Sequence, residues 1–239
     1  MELTSLNNEK VKFWQKLKQK KYRDLEKLFL VEDEHLVNEA LKKGIVKEII
    51  TINKNLEYDI PTYYVTEKII NNISSQVSGA KIIAVCNFLE DAKVAGNIIV
   101  LDRLQDPGNL GTILRSAVAF NFKTIILSND SVDLYNPKVI RASEGMLFHL
   151  NIKRCDLKVF FNNLPSEYTK ITTNVVNGKN IKNLKYDKLA LVIGNEGMGV
   201  SKDIANLCDE CVYIPMNNNC ESLNAAVCAS ILMYEVSNE

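Results

Sequence analysis

Asn97-Ile-Ile-Val-Leu-Asp102, Asp106-Pro-Gly-Asn-Leu-Gly-Thr-Ile-Leu-Arg115 and Lys123-Thr-Ile-Ile-Leu-Ser128 follow one another along the chain, and their order decides the fold class. The first and third are short apolar runs bounded by polar residues, the pattern of strands buried in a parallel sheet. Between them Leu110, Ile113, Leu114, Ala117 and Val118 recur at helical spacing across Asn109–Phe120. Strand, helix and strand in that sequence predict an α/β fold with a parallel sheet covered on both faces.

Working outward, the alternation persists to the C-terminus. Pro137–Glu144, Asp156–Leu164 and Val200–Leu207 read as helices, and Lys170–Thr173, Leu189–Gly194 and Cys211–Pro215 as strands. Ser222–Val236 is a final helix with apolar residues on every side, Leu223, Ala226, Val227, Ile231 and Tyr234 on one and Ala225, Cys228, Ala229, Leu232 and Met233 on the other. Such a helix must be buried all round, either as a central core helix or against a second subunit. Towards the N-terminus a smaller α/β unit is expected. Its helices are Asn8–Lys20, Asp33–Lys43 (stopped by Gly44) and Thr66–Ile73, and its strands are Leu28–Glu32, Ile45–Ile52, Thr62–Val65 and Lys81–Cys86. Asn87–Gly96 reads as a linker, which divides the chain into residues 1–90 and 97–239.

Composition sets the outer limits. The 239 residues are 46% hydrophobic and 24% charged, with 29 basic and 29 acidic side chains, enough for a substantial core and too balanced for a disordered polyelectrolyte. A net charge near zero leaves local basic surfaces possible. Residues 1–27 carry Lys10, Lys12, Lys16, Lys18, Lys20, Lys21, Arg23 and Lys27 against Glu2, Glu9, Asp24 and Glu26, either a solvated helix face or a nucleic-acid contact. No apolar run is long enough to span a bilayer and Met1–Asn8 lacks a signal-peptide core, so a soluble, cytoplasmic protein is expected. The six scattered cysteines read as reduced thiols. Cys208 and Cys211 form a C-x-x-C pair, but Cys220 and Cys228 have the wrong spacing for a second one, so no metal is assigned. His35 and His149 sit in no motif.

Three segments lie at or just beyond the C-terminal ends of expected strands, the edge at which open α/β sheets bind ligands. They are Asp106–Arg115, Gly194-Asn-Glu-Gly-Met-Gly199 and Ile214-Pro-Met-Asn-Asn-Asn-Cys-Glu-Ser-Leu-Asn224. The glycines of the second do not have the spacing of a dinucleotide fingerprint, and no phosphate-binding G-x-x-x-x-G-K-[ST] loop occurs, which weakens a nucleotide-dependent oxidoreductase.

Together the three resemble the SpoU-type (TrmH-like) RNA ribose 2′-O-methyltransferases of the SPOUT class. Asn109-Leu-Gly111 with Arg115 matches the family's first motif, Leu191-Val-Ile-Gly-Asn-Glu-Gly197 the second, and Ile214-Pro-Met216 with Ser222-Leu-Asn224 the third. The match covers about residues 97–236. The N-terminal part is similar, in pattern only, to the family's substrate-binding module, which is like ribosomal protein L30e. In one place the sequence departs from the family: Asn218 stands where a glycine usually follows Ile-Pro-Met, and Asn is the side chain that best tolerates left-handed backbone.

The resemblance implies a parallel sheet with a C-terminal trefoil knot, an exception to the general absence of knots. It implies S-adenosylmethionine as cofactor, held by Gly194, Ile214, Met216 and Leu223 largely through main-chain groups, with Thr172 or Thr173 beside them. It assigns Arg115 the central catalytic role, either as base or as an electrostatic clamp on phosphate and developing alkoxide; guanidinium's resistance to deprotonation favours the clamp. Asn109 caps its helix or orients Arg115, and Glu196, Ser222 and Asn224 complete a polar wall. Lys138 and Arg141 are candidate RNA contacts. The partners implied are RNA, ribosomal rather than transfer RNA, and a second copy of the chain in a homodimer. The rival reading is a non-catalytic RNA-binding or ribosome-assembly factor that retains the fold.

Overall fold

The computed structural model describes residues 2–77, 79–91, 93–175, 178–182 and 185–237. Met1 and Glu239, the outer limits of the two stretches divided above, and Ala92 in the expected linker lie outside the described residues. Along the chain come β1 (Glu2–Leu3), α1 (Glu9–Lys16), α2 (Lys20–Glu26), β2 (Leu28–Glu32), α3 (Glu34–Lys43), β3 (Val46–Thr51), β4 (Thr62–Val65), α4 (Glu67–Ile73) and β5 (Ile82–Asn87). Then follow β6 (Asn97–Leu101), α5 (Pro107–Ala119), β7 (Phe122–Ser128), α6 (Pro137–Ala142), β8 (Asn151–Cys155), α7 (Leu157–Asn163) and β9 (Thr169–Thr173). The chain continues with β10 (Lys179–Asn180), β11 (Leu189–Ile193), α8 (Lys202–Ala205), β12 (Glu210–Tyr213) and α9 (Ala225–Ser237). Two compact units result: Met1–Glu90 with Asp133–Phe148, and Asp91–Val132 with His149–Glu239.

The first unit is built on a mixed five-stranded sheet of order β1-β4-β3-β5-β2. On one face Val11, Trp14 and Leu17 meet Ile69, Ile70 and Ile73 over Leu30, Ile50, Ile83 and Val85. Full burial of each such side chain contributes about 1.5–3 kcal/mol. Trp14 keeps its indole N–H satisfied by donating to Glu48 at 2.9 Å. Asn8, Asp33 and Thr66 cap α1, α3 and α4 with side-chain oxygens, and Gly44 ends α3 at φ 74°.

The single helix expected over Asn8–Lys20 is broken at Leu17–Gln19, and α2 follows. The buried Arg23 explains the break. Its guanidinium takes the carbonyls of Leu17 and Lys18 at 2.9 and 2.7 Å and pairs with Asp133 at 2.6 Å, so those carbonyls are not free to continue a helix. Asp133–Phe148, read from sequence with the second domain, packs with the first unit. Tyr135 stacks on Phe88 at 3.9 Å between centroids and its hydroxyl accepts the N–H of Leu89.

The second unit is a seven-stranded sheet of order β10-β12-β9-β11-β6-β7-β8, parallel in every pairing. β11 is buried along its whole length and β6 from Ile98 to Leu101, which is why both read as unbroken apolar runs. Leu157, Phe161 and Ile204 cover one face over Ile98, Val100, Ala190 and Val192. Elsewhere in the unit α5 and α9 pack together, joined by a 2.7 Å bond between the hydroxyls of Ser116 and Ser230 and by an edge contact of Phe120 with Tyr234. Within the single chain the final helix is not buried all round, so it is not the central core helix that was one of its two expected settings. It begins at Ala225, Ala226, Ala229, Leu232 and Met233 are buried, but Val227 and Tyr234 are 46% and 51% exposed. Because all the strands run parallel, the loops after β6, β9, β11 and β12 leave from one edge of the sheet.

Candidate active site

Three of those loops converge. The turn after β11 is fixed by its glycines: a Cβ at Gly194 would fall 2.1 Å from the Gly199 carbonyl carbon, and Gly199 itself has φ +65°. The main chains of Asn195 and Gly199 pair with each other, and Asn195 Oδ1 accepts the N–H groups of Gly197 and Met198. Glu196 projects from this tight turn towards the loop after β6.

There it accepts the backbone N–H of Asp106 at 2.9 Å, that of Gln105 at 3.2 Å, and the side-chain amide of Asn109 at 3.0 Å. Burial pushes the Glu196 carboxyl up, but the donors on Asp106, Asn109 and Gln105 outweigh it and hold it below the usual carboxylate value. A carboxylate at the start of α5 is also favoured by the helix dipole.

The loop after β12 joins through Asn224. Its amide donates to Asn109 Oδ1 at 2.9 Å, and its own Oδ1 accepts the N–H groups of Ala226 and Val227 at the start of α9. Asn109 therefore bridges Glu196 and Asn224 across all three motifs. It does not cap α5, as the sequence allowed. That cap is Asp106, whose Oδ1 accepts the Asn109 N–H at 2.8 Å ahead of Pro107 in the first turn. Nor does Asn109 hydrogen-bond Arg115. Arg115 is exposed on α5, makes no ion pair or hydrogen bond among the described residues, and is absent from the cavity wall.

The loops enclose a cavity of about 390 Å³ within the second unit, in the size range of small-molecule sites. Gly194, Glu196, Ile214, Met216, Ser222, Leu223 and Thr173 line it. Ile193, Val212 and Leu232 add apolar wall. Thr173 donates its hydroxyl to the Val192 carbonyl. Thr172 lies outside the lining, buried, with its Oγ1 unpartnered. Asn218 does not have the positive φ entertained from sequence; the described non-glycine residues that do are Lys27, Asp33, Arg103, Asn121 and Glu144. Lys138 and Arg141 are exposed on α6, in the first unit.

The sequence singles out none of Asp102, Arg103 and Gln105, and Asn195 only as a member of the second motif. Buried Asp102 accepts the Ser201 N–H at 2.7 Å, Asn195 donates to the Arg103 carbonyl at 2.9 Å, and Gln105 reaches the Asp130 carbonyl at 2.8 Å. These bonds brace the loop after β6, and only the Asp-Pro pair at 106–107 hinted at them. Burial pushes the Cys208 thiol up to about 12 and the cavity-lining Cys228 thiol up to about 11, and raises Cys211 too, so none is a thiolate near neutral pH. Among the described residues no three His, Cys, Asp or Glu side chains converge to hold a metal.

The chain is similar to known proteins along nearly its whole length. The model of the SpoU rRNA Methylase family matches residues 96–234, and that of the MRM3-like substrate binding domain matches residues 8–84. The chain is 36% identical to the 23S rRNA (guanosine(2553)-2′-O)-methyltransferase RlmP of Bacillus subtilis, over 98% of both chains. An AdoMet-bound rRNA methyltransferase from Sinorhizobium meliloti superposes with a TM-score of 0.88 at 27% identity, covering 98% of this chain and 96% of that one. A solved RNA 2′-O ribose methyltransferase gives 0.80 at 27% identity over 98% and 97%. On the family match, the near full-length relative and a shared fold, the chain belongs to the SpoU rRNA methylase family.

Proposed function

We propose that this chain, an S-adenosylmethionine-dependent RNA ribose 2′-O-methyltransferase, acts on large-subunit ribosomal RNA in the cytoplasm as a homodimer. The observation that carries the reading is the Glu196–Asn109–Asn224 chain of hydrogen bonds, which ties all three motifs around one cavity. The relative that acts on 23S ribosomal RNA matches along nearly the whole chain, which supports the substrate class.

The cavity suits an adenosyl compound. Ile193, Ile214 and Leu223 offer apolar surface to a purine, and the adjoining main-chain groups offer its edge hydrogen bonds. The closed approach at Gly194 leaves no room for any side chain there. S-adenosylmethionine supplies an electrophilic methyl group on a sulfonium. The protein's task is then to place a ribose 2′-oxygen in line with it and to stabilise charge as the hydroxyl proton passes to solvent water. Glu196, kept ionised, fixes the loop after β6 and the start of α5. Ser222 stands at the cavity wall, and Asn224 fixes the turn into α9. Arg115, exposed and unpaired among the described residues, is placed to grip a substrate phosphate and stabilise the developing alkoxide with the proton retained on its guanidinium.

The trefoil knot of the family belongs to this reading, with the segment from Ile214 through α9 as its threaded part, and so does an L30e-like first unit that recruits RNA with Lys138 and Arg141. The homodimer is supported by α9, whose exposed Val227 and Tyr234 form an apolar face beside α5. No described helix is long and apolar enough to cross a membrane.

The test is ligand-induced stabilisation. S-adenosylmethionine and S-adenosylhomocysteine should raise the melting temperature, by about 2.7 kcal/mol of stability at a hundred times Kd, and nicotinamide dinucleotides should not. Calorimetry showing no binding of either adenosyl compound at saturation contradicts the reading. Light scattering at micromolar concentration should give twice the 27.0 kDa chain mass; a single chain mass removes the dimer.

A further inference from the structure

The basic residues of the first 27 positions divide sharply once their partners are known. Lys10 pairs with Glu48, Lys12 with Glu9, and Lys20 with Asp24. Lys18 caps the carbonyls of Asn72 and Ser74, and Arg23 is buried on Asp133. Lys27 lies over the Phe88 ring. Lys16, Lys21 and Lys27 make no ion pair or side-chain hydrogen bond among the described residues, and of these Lys16 and Lys21 lie near one and the same aromatic ring, that of Tyr22, at 5.7 and 6.0 Å from its centroid.

Helical geometry places these groups on the outside of α2. Arg23 is buried, so the opposite side faces solvent; Lys21 and Leu25, four residues apart, share that side, and Leu25 is 69% exposed. Lys16, at the end of α1, is brought beside Tyr22 by the break at Leu17–Gln19 that Arg23 holds. Two cations outside any ion pair, a half-exposed aromatic ring and an exposed leucine are thus presented together.

We propose that this face, Lys16, Lys21, Tyr22 and Leu25, is a docking surface for single-stranded RNA in which the lysines contact phosphates and Tyr22 stacks on an unpaired base. Charge complementarity selects a polyanion: the lysines gain by releasing its counterions and break no ion pair or hydrogen bond to reach it, only their long contacts with the Tyr22 ring. The ring selects nucleic acid over other polyanions, because bases stack on aromatic faces whatever their sequence. Glu26, one turn past Tyr22 and without a partner among the described residues, opposes this assignment, whereas the nearby Glu9 and Asp24 are paired with Lys12 and Lys20. The proposal rests on the RNA-methyltransferase reading for its substrate but assigns a contact surface on the first unit, made of residues that do not line the cavity.

The test uses the full chain and fragments of deproteinised 23S ribosomal RNA, with anisotropy read across a salt series. The double variant Lys16→Ala/Lys21→Ala should bind about tenfold more weakly, and the slope of log affinity against log salt should flatten by about 1.4, the loss of two single-strand phosphate contacts. Tyr22→Leu should weaken binding about tenfold with the slope unchanged. Glu26→Gln should strengthen it. S-adenosylmethionine affinity and melting temperature should stay at the wild-type values throughout. Lys12→Ala/Lys20→Ala, which removes paired lysines, should have little effect. Wild-type affinity and slope in the Lys16/Lys21 variant, or an equal loss in the Lys12/Lys20 variant, would overturn the surface while leaving the enzyme assignment intact. No RNA binding by the wild type would overturn both.

Discussion

The two walls of the cavity are built differently. The turn Gly194–Gly199 is locked from within by the Asn195–Gly199 bridge and from without by Glu196, which ties it to the start of α5. The loop from Ile214 to Asn224 is mostly exposed and holds itself by little more than the Asn217 turn, which takes the N–H groups of Asn219 and Cys220, and by Asn224 at its end. One wall is preformed; the other takes its shape from its ends and from what lies against it. Preorganised donors stabilise a transition state without reorganising, so the rigid wall is suited to positioning, and the looser one to admitting and releasing a ligand.

The largest effect is expected where the rigid wall has no slack. Gly194→Ala places a methyl group 2.1 Å from backbone that cannot yield cheaply. The variant should lose about 1–3 kcal/mol of stability and all calorimetrically detectable S-adenosylmethionine binding. Normal binding in a folded Gly194→Ala protein would show that the turn is as adaptable as the loop opposite.

A smaller effect is expected at Glu196, because its donors lie near solvent. Glu196→Gln keeps the shape and removes the charge, and should cost about 0.5–1.5 kcal/mol. The sign with pH follows from the depressed carboxyl. Stability from an ionised Glu196 is fully present above its ordinary value of 4.5 and is lost as pH falls through the lower folded value. Melting curves of wild type and variant should therefore differ at pH 7 and converge in acid. A difference that grows in acid contradicts this account of Glu196.

The same contrast governs how much was legible in the sequence. β6, β7 and β11 are buried through most of their length and read directly as apolar runs. β8 was not visible, because among Asn151–Cys155 only Ile152 is buried. The three motifs marked the site's loops, and the cavity collects Gly194, Glu196, Ile214, Met216, Ser222 and Leu223 from them. The bonds between loops were not readable. Asn109 meets Glu196 across 87 positions and Asn224 across 115, and nothing local to Asn109 distinguishes a bridge from a cap. The packing of Asp133–Phe148 with the first unit was hidden for the same reason, since it depends on Arg23 reaching Asp133 across 110 positions. Arg115 is the reverse case: its motif was plain, and its freedom from partners appears only in three dimensions.

That freedom makes Arg115 the sharpest point of attack on the central claim, transfer of a methyl group to a ribose 2′-oxygen. The measurement is incubation of wild-type and Arg115→Ala protein with methyl-labelled S-adenosylmethionine and unmodified 23S ribosomal RNA, followed by alkaline hydrolysis. Alkali cleaves RNA through a free 2′-hydroxyl, so a 2′-O-methyl group leaves an uncut dinucleotide. The account predicts wild-type label in alkali-stable dinucleotides, and turnover lowered about 10²–10³-fold in Arg115→Ala, as for loss of one transition-state donor, with S-adenosylmethionine affinity retained. Label released in mononucleotides, or no transfer by a wild-type protein that binds both S-adenosylmethionine and RNA, would contradict it.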